Sequence, residues 1–422
     1  MRWGAAGGGL IDSRAHQREL RDEAARLLGF FAEPSGAARF GWRRVDGSVD
    51  RSRALELYGT ARLTHCFSAA SMADGSAASA WARDGVDLLL DTFADERFPG
   101  FVDRVDLDGR PVSERKAAYA HAFVVLAGSS AVVASVPRAD ELFERGIAAI
   151  DRLFWDREAD AVVDDVSASG DEVSPYRGQN ANMHLAEAYI GAFEATGEAE
   201  WLRRARRIAE RFVQEAAPPR SWRVPEHYTE DWAVDDEYGR DNPRDPFRPF
   251  GALPGHGLEW ARLMLHLGAL DPSFDCALHS AQRLFSRAVA DGWDAPRGGI
   301  VYTVGASGEP IIGDRMHWVI AEALGAAAWL ARATGDPQYA SWYDRFWRYA
   351  QRFVVDASGG SWWHELDERN RPAFRTWPGK PDLYHAFQAV HQARLTRPSG
   401  IAIAIRDQLT MPLDGDGPGS LV

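Results

Sequence analysis

Along the chain, stretches that are apolar on nearly every face alternate with stretches apolar on one face only, and short alternating runs with turn residues separate the pairs. Ser13 to Phe31 sets Leu20, Ala24, Leu27 and Leu28 against Arg14, Glu19, Arg21 and Glu23, which predicts an amphipathic outer helix. Phe40 to Val49 alternates and turns at Asp46-Gly47, a hairpin signal. Ala54 to Met72 then reads as a helix apolar nearly all round, interrupted by Arg62, Thr64 and His65, and Ala77 to Phe93 follows the break at Asp74-Gly75.

The same parts return down the chain. Hairpins are predicted over Phe101 to Val112, Ala161 to Val173, Gly298 to Pro310 and Ser361 to Arg375, turning near Asp108-Gly109, Ser169-Gly170, Ser307-Gly308 and Asp367 to Asn370. Apolar helices are predicted over Arg115 to Val133, from Asn180 onward, and over His256 to Leu267, Trp318 to Ala333 and Leu383 to Leu395. One-sided helices are predicted over Ala139 to Phe154, Trp201 to Val213, Phe274 to Val289 and Tyr339 to Val354. Trp222 to Phe250 is a longer polar insertion. A unit is thus a hairpin, a buried helix, a short turn such as Ala195-Thr196-Gly197 and a one-sided helix, and about six units give about twelve helices. Two concentric helical layers follow: an all-α (α/α)6 barrel with short β-hairpins at one rim. Two helical solenoids would share the period but would not need polar residues at the start of every inner helix. The reading is one domain over 1–422, with the repeat ending near 395 and the tail 398–422 outside it.

Tyr176 to Ala188 shows what collects at that rim. Gly178 breaks an extended run, Asn180 or Asn182 is placed to cap, and Asn180 and His184 share a face in the first turn of an otherwise apolar helix. Aligned at their starts, the inner helices bring Arg62, Tyr119, His121, Asn180, His184, His256, Glu259, His317, Trp318 and His385 to one ring. A lone helical histidine is commonly structural, but convergence from about six units is the pattern of a site.

Composition narrows the ligand. The 422 residues are 45% hydrophobic with a net charge of -13, which gives no cationic footprint for nucleic acid or an anionic membrane and favours a small neutral substrate. Sixteen tryptophans suit sugar stacking, although most belong to the core. Cys66 and Cys276, far apart in apolar helical runs, read as buried free thiols in a reducing compartment. Met1 to Gly9 has no basic-then-apolar leader and no run reaches membrane-span length, so the expectation is a cytoplasmic protein, monomeric or homodimeric.

Four stretches, Thr60 to His65, Tyr176 to His184, Pro254 to Trp260 and Trp377 to His385, resemble the N-acylglucosamine 2-epimerase superfamily, and within it the mannose isomerase and sulfoquinovose isomerase group. The resemblance runs from about the first helix to about Leu395. It implies the same barrel, no metal or nucleotide cofactor, His256 and His385 as the acid/base pair, and Arg62, Tyr119, Asn180, His184 and Glu259 as residues that bind or polarise the sugar. It also implies aldose–ketose isomerisation of an unphosphorylated hexose, mannose to fructose in the leading case, with lyxose, sulfoquinovose or 2-epimerisation as alternatives.

The residue types suit that chemistry independently. Moving a proton from C2 to C1 through an enediol(ate) needs a base near neutrality, a proton donor at oxygen and a cation or N–H groups for the developing oxyanion. Histidine supplies the first two, and Arg62 and Asn180 the third. Glu259, one turn from His256, is placed to orient an imidazole, and Trp318 and Trp377 are candidate stacking surfaces. A sulfonate would call for a second cation, for which Lys380 or Arg315 are candidates. Two rivals stand beside this reading. His184 with Glu187 and His256 with Glu259 could ligate a divalent metal, and Asp235, Asp236 or Glu237 could serve a glycosidase, although no second acid on the rim pairs with them.

Overall fold

Helices that carry almost no charge must be covered on all sides, and the chain achieves this by closing six of them into a ring inside six others. In the computed structural model, which describes residues 1, 3–4, 6–31, 36–73, 75–113 and 115–409, the helices are α1 (Arg14–Phe31), α2 (Leu57–Ser71), α3 (Gly75–Leu88), α4 (Ala118–Val133), α5 (Ala139–Ala149), α6 (Gln179–Thr196), α7 (Ala199–Ala209), α8 (Pro254–Leu270), α9 (Ala277–Gly292), α10 (His317–Thr334), α11 (Pro337–Tyr349), α12 (Tyr384–Gln392) and the short α13 (Ile401–Ala404). The inner ring runs α2, α4, α6, α8, α10, α12 and closes back on α2. Helices α3, α5, α7, α9 and α11 each pack outside the inner helix before them, and α1 covers α12. The sixth pair therefore joins the two ends of the repeat, because the last unit has no outer helix of its own.

Close approach of the layers is visible at Gly128 of α4, where a Cβ would lie 2.8 Å from the Cα of Phe143 on α5; only glycine lets the two backbones meet there. Four outer helices, α3, α5, α7 and α11, finish in a widened π-turn, Leu89–Phe93, Ile150–Phe154, Glu210–Glu215 and Ala350–Val354, a repeated detail that periodicity does not reveal.

The rim of N-termini is tied together by backbone. Each of four inner helices sends its first N–H to a carbonyl of the next hairpin: Leu57 to Asp103 at 2.9 Å, Ala118 to Asp164 at 2.8 Å, Gln179 to Glu226 at 3.1 Å and His317 to His364 at 3.0 Å. Short antiparallel pairs reinforce these ties, with Glu56 opposite Arg104, Ala117 opposite Asp165, Gly178 opposite His227 and Met316 opposite Glu365. The expected capping by Asn180 or Asn182 is not what is found. Gly178 is the N-cap and offers no side chain, while Asn182 is buried and bonds the backbone of Val162 and the carbonyl of Gly178. Its amide holds hairpin to helix instead of ending the helix.

The first residues of the tail explain part of what the repeat leaves over. Ile401, Ala402, Ala404 and Ile405 are buried, and α13 packs on α2, α4 and α12. The Gly400 N–H reaches both carboxylate oxygens of Glu194 at 3.0 Å, and His266 reaches one of them at 3.0 Å. Glu194 and His266 lie near the C-terminal ends of α6 and α8, so this segment closes the end of the barrel opposite the hairpins. The rest of the tail, 410–422, lies outside the described residues. Ile405→Ala should cost about 2–4 kcal/mol of unfolding free energy in urea titrations, with kcat unchanged; an equal loss of kcat would show that the two ends of the barrel are coupled.

Candidate active site

The hairpin end encloses a cleft of about 1020 Å³, open mouth included. All nine residues expected to form a site, Arg62, Tyr119, Asn180, His184, His256, Glu259, Trp318, Trp377 and His385, line it. Pro246, Phe247 and Pro249 of the polar insertion form part of its wall, and Phe247 meets Tyr58, Tyr119 and Trp377 edge-on. His121 does not join them. Its ring nitrogens face the Phe101 N–H and the Ala117 carbonyl, a structural post behind the rim.

Two imidazoles are held in the same manner. His385 presents Nδ1 to Asp382 at 2.7 Å and His256 presents Nδ1 to Glu226 at 2.8 Å, leaving Nε2 of each for a ligand. The Asp382 carboxylate also receives His317 Nε2 at 2.9 Å, and its second oxygen lies 3.4 Å from Arg62. Burial works against its charge, yet His385, His317 and Arg62 hold it well below the usual carboxylate range. An ionised Asp382 accepts protons from both rings, so His385 carries its proton on Nδ1 and offers a bare Nε2. Burial brings His385 down to about 4, against the pull of Asp382, and His184 down to about 3, so both rings are neutral near pH 7.

Glu259, expected to orient a nearby imidazole, is not the partner of His256 one turn away, which turns to Glu226, a residue of the insertion. Glu259 lies instead 3.7 Å from His184 and 3.6 Å from Arg262. Burial and the nearby Glu322 push it well above the carboxylate range, which makes it a neutral acid at the cleft wall. Beneath it Arg262 bonds Glu322 at 2.6 Å and Glu187 at 3.0 Å, and Tyr384 donates to Glu187. Glu187 is ionised despite its burial because Arg262 and His184 face it.

The metal reading loses one of its two pairs, since His256 and Glu259 do not converge. His184, Glu187 and Glu259 do place donor atoms within 4.8 Å of one another, but Arg262 already supplies the cation beside both carboxylates. The acids of the insertion are spent elsewhere, with Asp236 beside Arg220 and Glu237 beside Arg240. Lys380 and Arg315 are not near the ligand space either. Lys380 is buried against Asp356 and the Gly360 carbonyl, and Arg315 pairs with Asp294. Among the described residues lining the cleft, Arg62 is the one Lys or Arg; it donates to Tyr119 at 2.8 Å and lies over the Phe123 ring at 4.2 Å.

Aromatic walls complete the cleft. Trp318 leans over His256 at 5.1 Å between centroids and reaches His385 at 5.9 Å. Gly255 makes room for it, since a Cβ there would sit 2.5 Å from the indole. Trp377 stacks beside Trp42 at 6.2 Å. Sequence reasoning missed Glu226, Gln179, Asp382, Tyr302 and His364. Asp382 lies in a quoted stretch, three residues before His385, and that spacing on a helix start was the available signal.

The N-acylglucosamine 2-epimerase (GlcNAc 2-epimerase) family model matches residues 39–389. A D-mannose isomerase of Thermobifida fusca is 41% identical over 395 residues, covering 93% of this chain and 97% of that one. A D-mannose isomerase of Pseudomonas cannabina pv. alisalensis is 41% identical over 389 residues, covering 90% and 92%. A crystal structure of D-mannose isomerase superposes with a TM-score of 0.85 at 31% identity, covering 90% of this chain and 98% of that one. With the family model spanning most of its length and such relatives matched nearly end to end, the chain belongs to the N-acylglucosamine 2-epimerase family.

Proposed function

We propose that this protein is an aldose–ketose isomerase that interconverts D-mannose and D-fructose. The observation that carries the reading is the pair of carboxylate-oriented imidazoles, His256 and His385, on one cleft with Arg62 and Trp318; the D-mannose isomerase relatives, matched over nearly their whole length, support the same substrate. His385 Nε2 takes the C2 proton of the open-chain sugar and returns it to C1, and Arg62 with the Asn180 amide stabilises the oxyanion of the enediolate. His256 moves the proton at oxygen, first in ring opening and then between O1 and O2. Glu259, kept neutral, and His184 donate hydrogen bonds to sugar hydroxyls, and Trp318 and Trp377 cover the apolar face of the sugar. The protein acts as one domain.

A single arginine, already shared with Asp382 and Tyr119, fits a neutral sugar better than a sulfonate or phosphate. The second reading, a sugar 2-epimerase, draws on the same two imidazoles, since inversion at C2 needs a donor on the opposite face.

His256→Ala and His385→Ala are each expected to lower kcat by about 10²- to 10⁴-fold with the thermal midpoint little changed, as read by NMR of fructose formation and by calorimetry. Asp382→Asn should fall in the same range, because an amide facing Nδ1 forces the His385 proton onto Nε2; near-normal kcat in any of the three would contradict the assignment. After exhaustive chelation the enzyme should still convert mannose, and in a panel with lyxose, sulfoquinovose and mannose 6-phosphate the neutral sugars should lead in kcat/KM by about 10-fold or more. Activity restored only by a divalent ion, or preference for an anionic sugar, would overturn the reading.

A further inference from the structure

One position of the repeat recurs around the rim, and its side chain changes from unit to unit after the first two. Asp103, Asp164, Glu226 and His364 are the residues whose carbonyls accept the first N–H of α2, α4, α6 and α10, and the pairing of Ala252 with Val304 places Tyr302 equivalently for α8. In the first two the side chain makes a second tie, to the N-cap of the following inner helix. The Ala117 N–H reaches Asp103 at 3.1 Å and the Gly178 N–H reaches Asp164 at 2.6 Å. Glu226 keeps this tie, with the Leu253 N–H at 3.2 Å from Oε1. Its additional methylene brings Oε2 to His256 Nδ1 at 2.8 Å and to the Gln179 amide nitrogen at 2.9 Å.

From this we infer that Glu226 is a positioning residue for the isomerase reaction: a rim staple lengthened by one methylene so that it also fixes the ring orientation and tautomer of His256. The inference rests on the isomerase reading above. Three polar atoms, Glu226 Oε2, Gln179 Nε2 and His256 Nδ1, lie within 2.9 Å of one another, and Gln179 Nε2 is 2.8 Å from Nδ1. A carboxylate oxygen facing a bare ring nitrogen at that distance would set lone pair against lone pair, so Nδ1 carries the proton and donates it to Glu226. The Trp260 indole N–H holds Gln179 Oε1 at 2.7 Å, which turns the Gln179 NH₂ toward Glu226 and settles the amide orientation. With the Glu226 side chain 4% exposed, the arrangement is shielded from water, and Nε2 is the ring nitrogen left to meet substrate.

The repeat itself supplies the control. Glu226→Asp restores the residue used at the same position in the two preceding units, so the tie to Leu253 can form while the reach to His256 is lost. Glu226→Gln keeps an acceptor for Leu253 and turns an NH₂ group toward Nδ1, which inverts the tautomer. The experiment measures kcat and KM for mannose, thermal midpoint, and the His256 ring nitrogens in long-range 1H–15N spectra assigned by difference against His256→Ala. Glu226→Asp should keep the wild-type midpoint and KM while kcat falls about 10- to 100-fold. Glu226→Gln should fall at least as far, and its His256 protonated nitrogen should change from Nδ1 to Nε2. Wild-type kcat in Glu226→Asp, or an unchanged tautomer in Glu226→Gln, would overturn the inference and leave Glu226 a staple only. Absence of mannose turnover in the wild-type enzyme would instead refute the isomerase reading, while the spectra would still decide the tautomer.

Discussion

The first N–H groups of an enclosed helix need acceptors, and around this barrel they find them in the neighbouring unit. That constraint ties four of the six inner helices to the following hairpin. Hairpin carbonyls reach the starts of α2, α4, α6 and α10, and α8 begins at Pro254, which has no N–H to satisfy. These hairpins therefore cannot wander from the rim, and the inner helices present the same end to one space. Because the backbone is satisfied there by backbone, side chains in the first turns are free to carry polar groups. Arg62, Tyr119, Asn180, His184, His256, His317 and His385 are the result.

Polarity in that space is arranged as charge against charge. Glu187, Glu259 and Glu322 surround Arg262, and Asp382 lies between Arg62 and two imidazoles. Buried ion pairs of this kind rarely add net stability, because desolvation offsets much of their attraction. Their effect here is on protonation: Glu187 and Asp382 stay ionised, Glu259 stays neutral, and His385 and His184 are left uncharged. The far end of the barrel is closed differently, by apolar residues of the tail, and carries stability rather than chemistry.

Much of this was legible in the chain. Apolar helices alternating with one-sided ones, most pairs preceded by a Gly-containing turn, point to the barrel, and aligning the inner helices brings Arg62, Tyr119, Asn180, His184, His256, Glu259, Trp318 and His385 to one rim. Trp377 and the roles of these residues come from the resembling stretches. What escaped was the partner of each partner. Glu226 sits in a polar insertion without periodicity, thirty residues before His256, and only the backbone register reveals that it repeats the position of Asp103 and Asp164. Lys380 misled for the complementary reason: it lies five residues from His385, but its side chain runs into the core to meet Asp356. Sequence spacing locates a residue on a helix face; it does not say which way the side chain turns in the loop before it. The closing of the sixth pair by α1 was hidden because it joins residues at opposite ends of the chain.

The central claim is that one imidazole, His385, moves a proton between C2 and C1 on one face of an enediolate. Following D-mannose in D2O by 1H NMR tests it most directly. The account predicts fructose as the dominant early product, with solvent deuterium where it enters confined to C1. Early accumulation of glucose deuterated at C2 ahead of fructose would contradict it, because inversion at C2 needs a second proton donor acting from the other face.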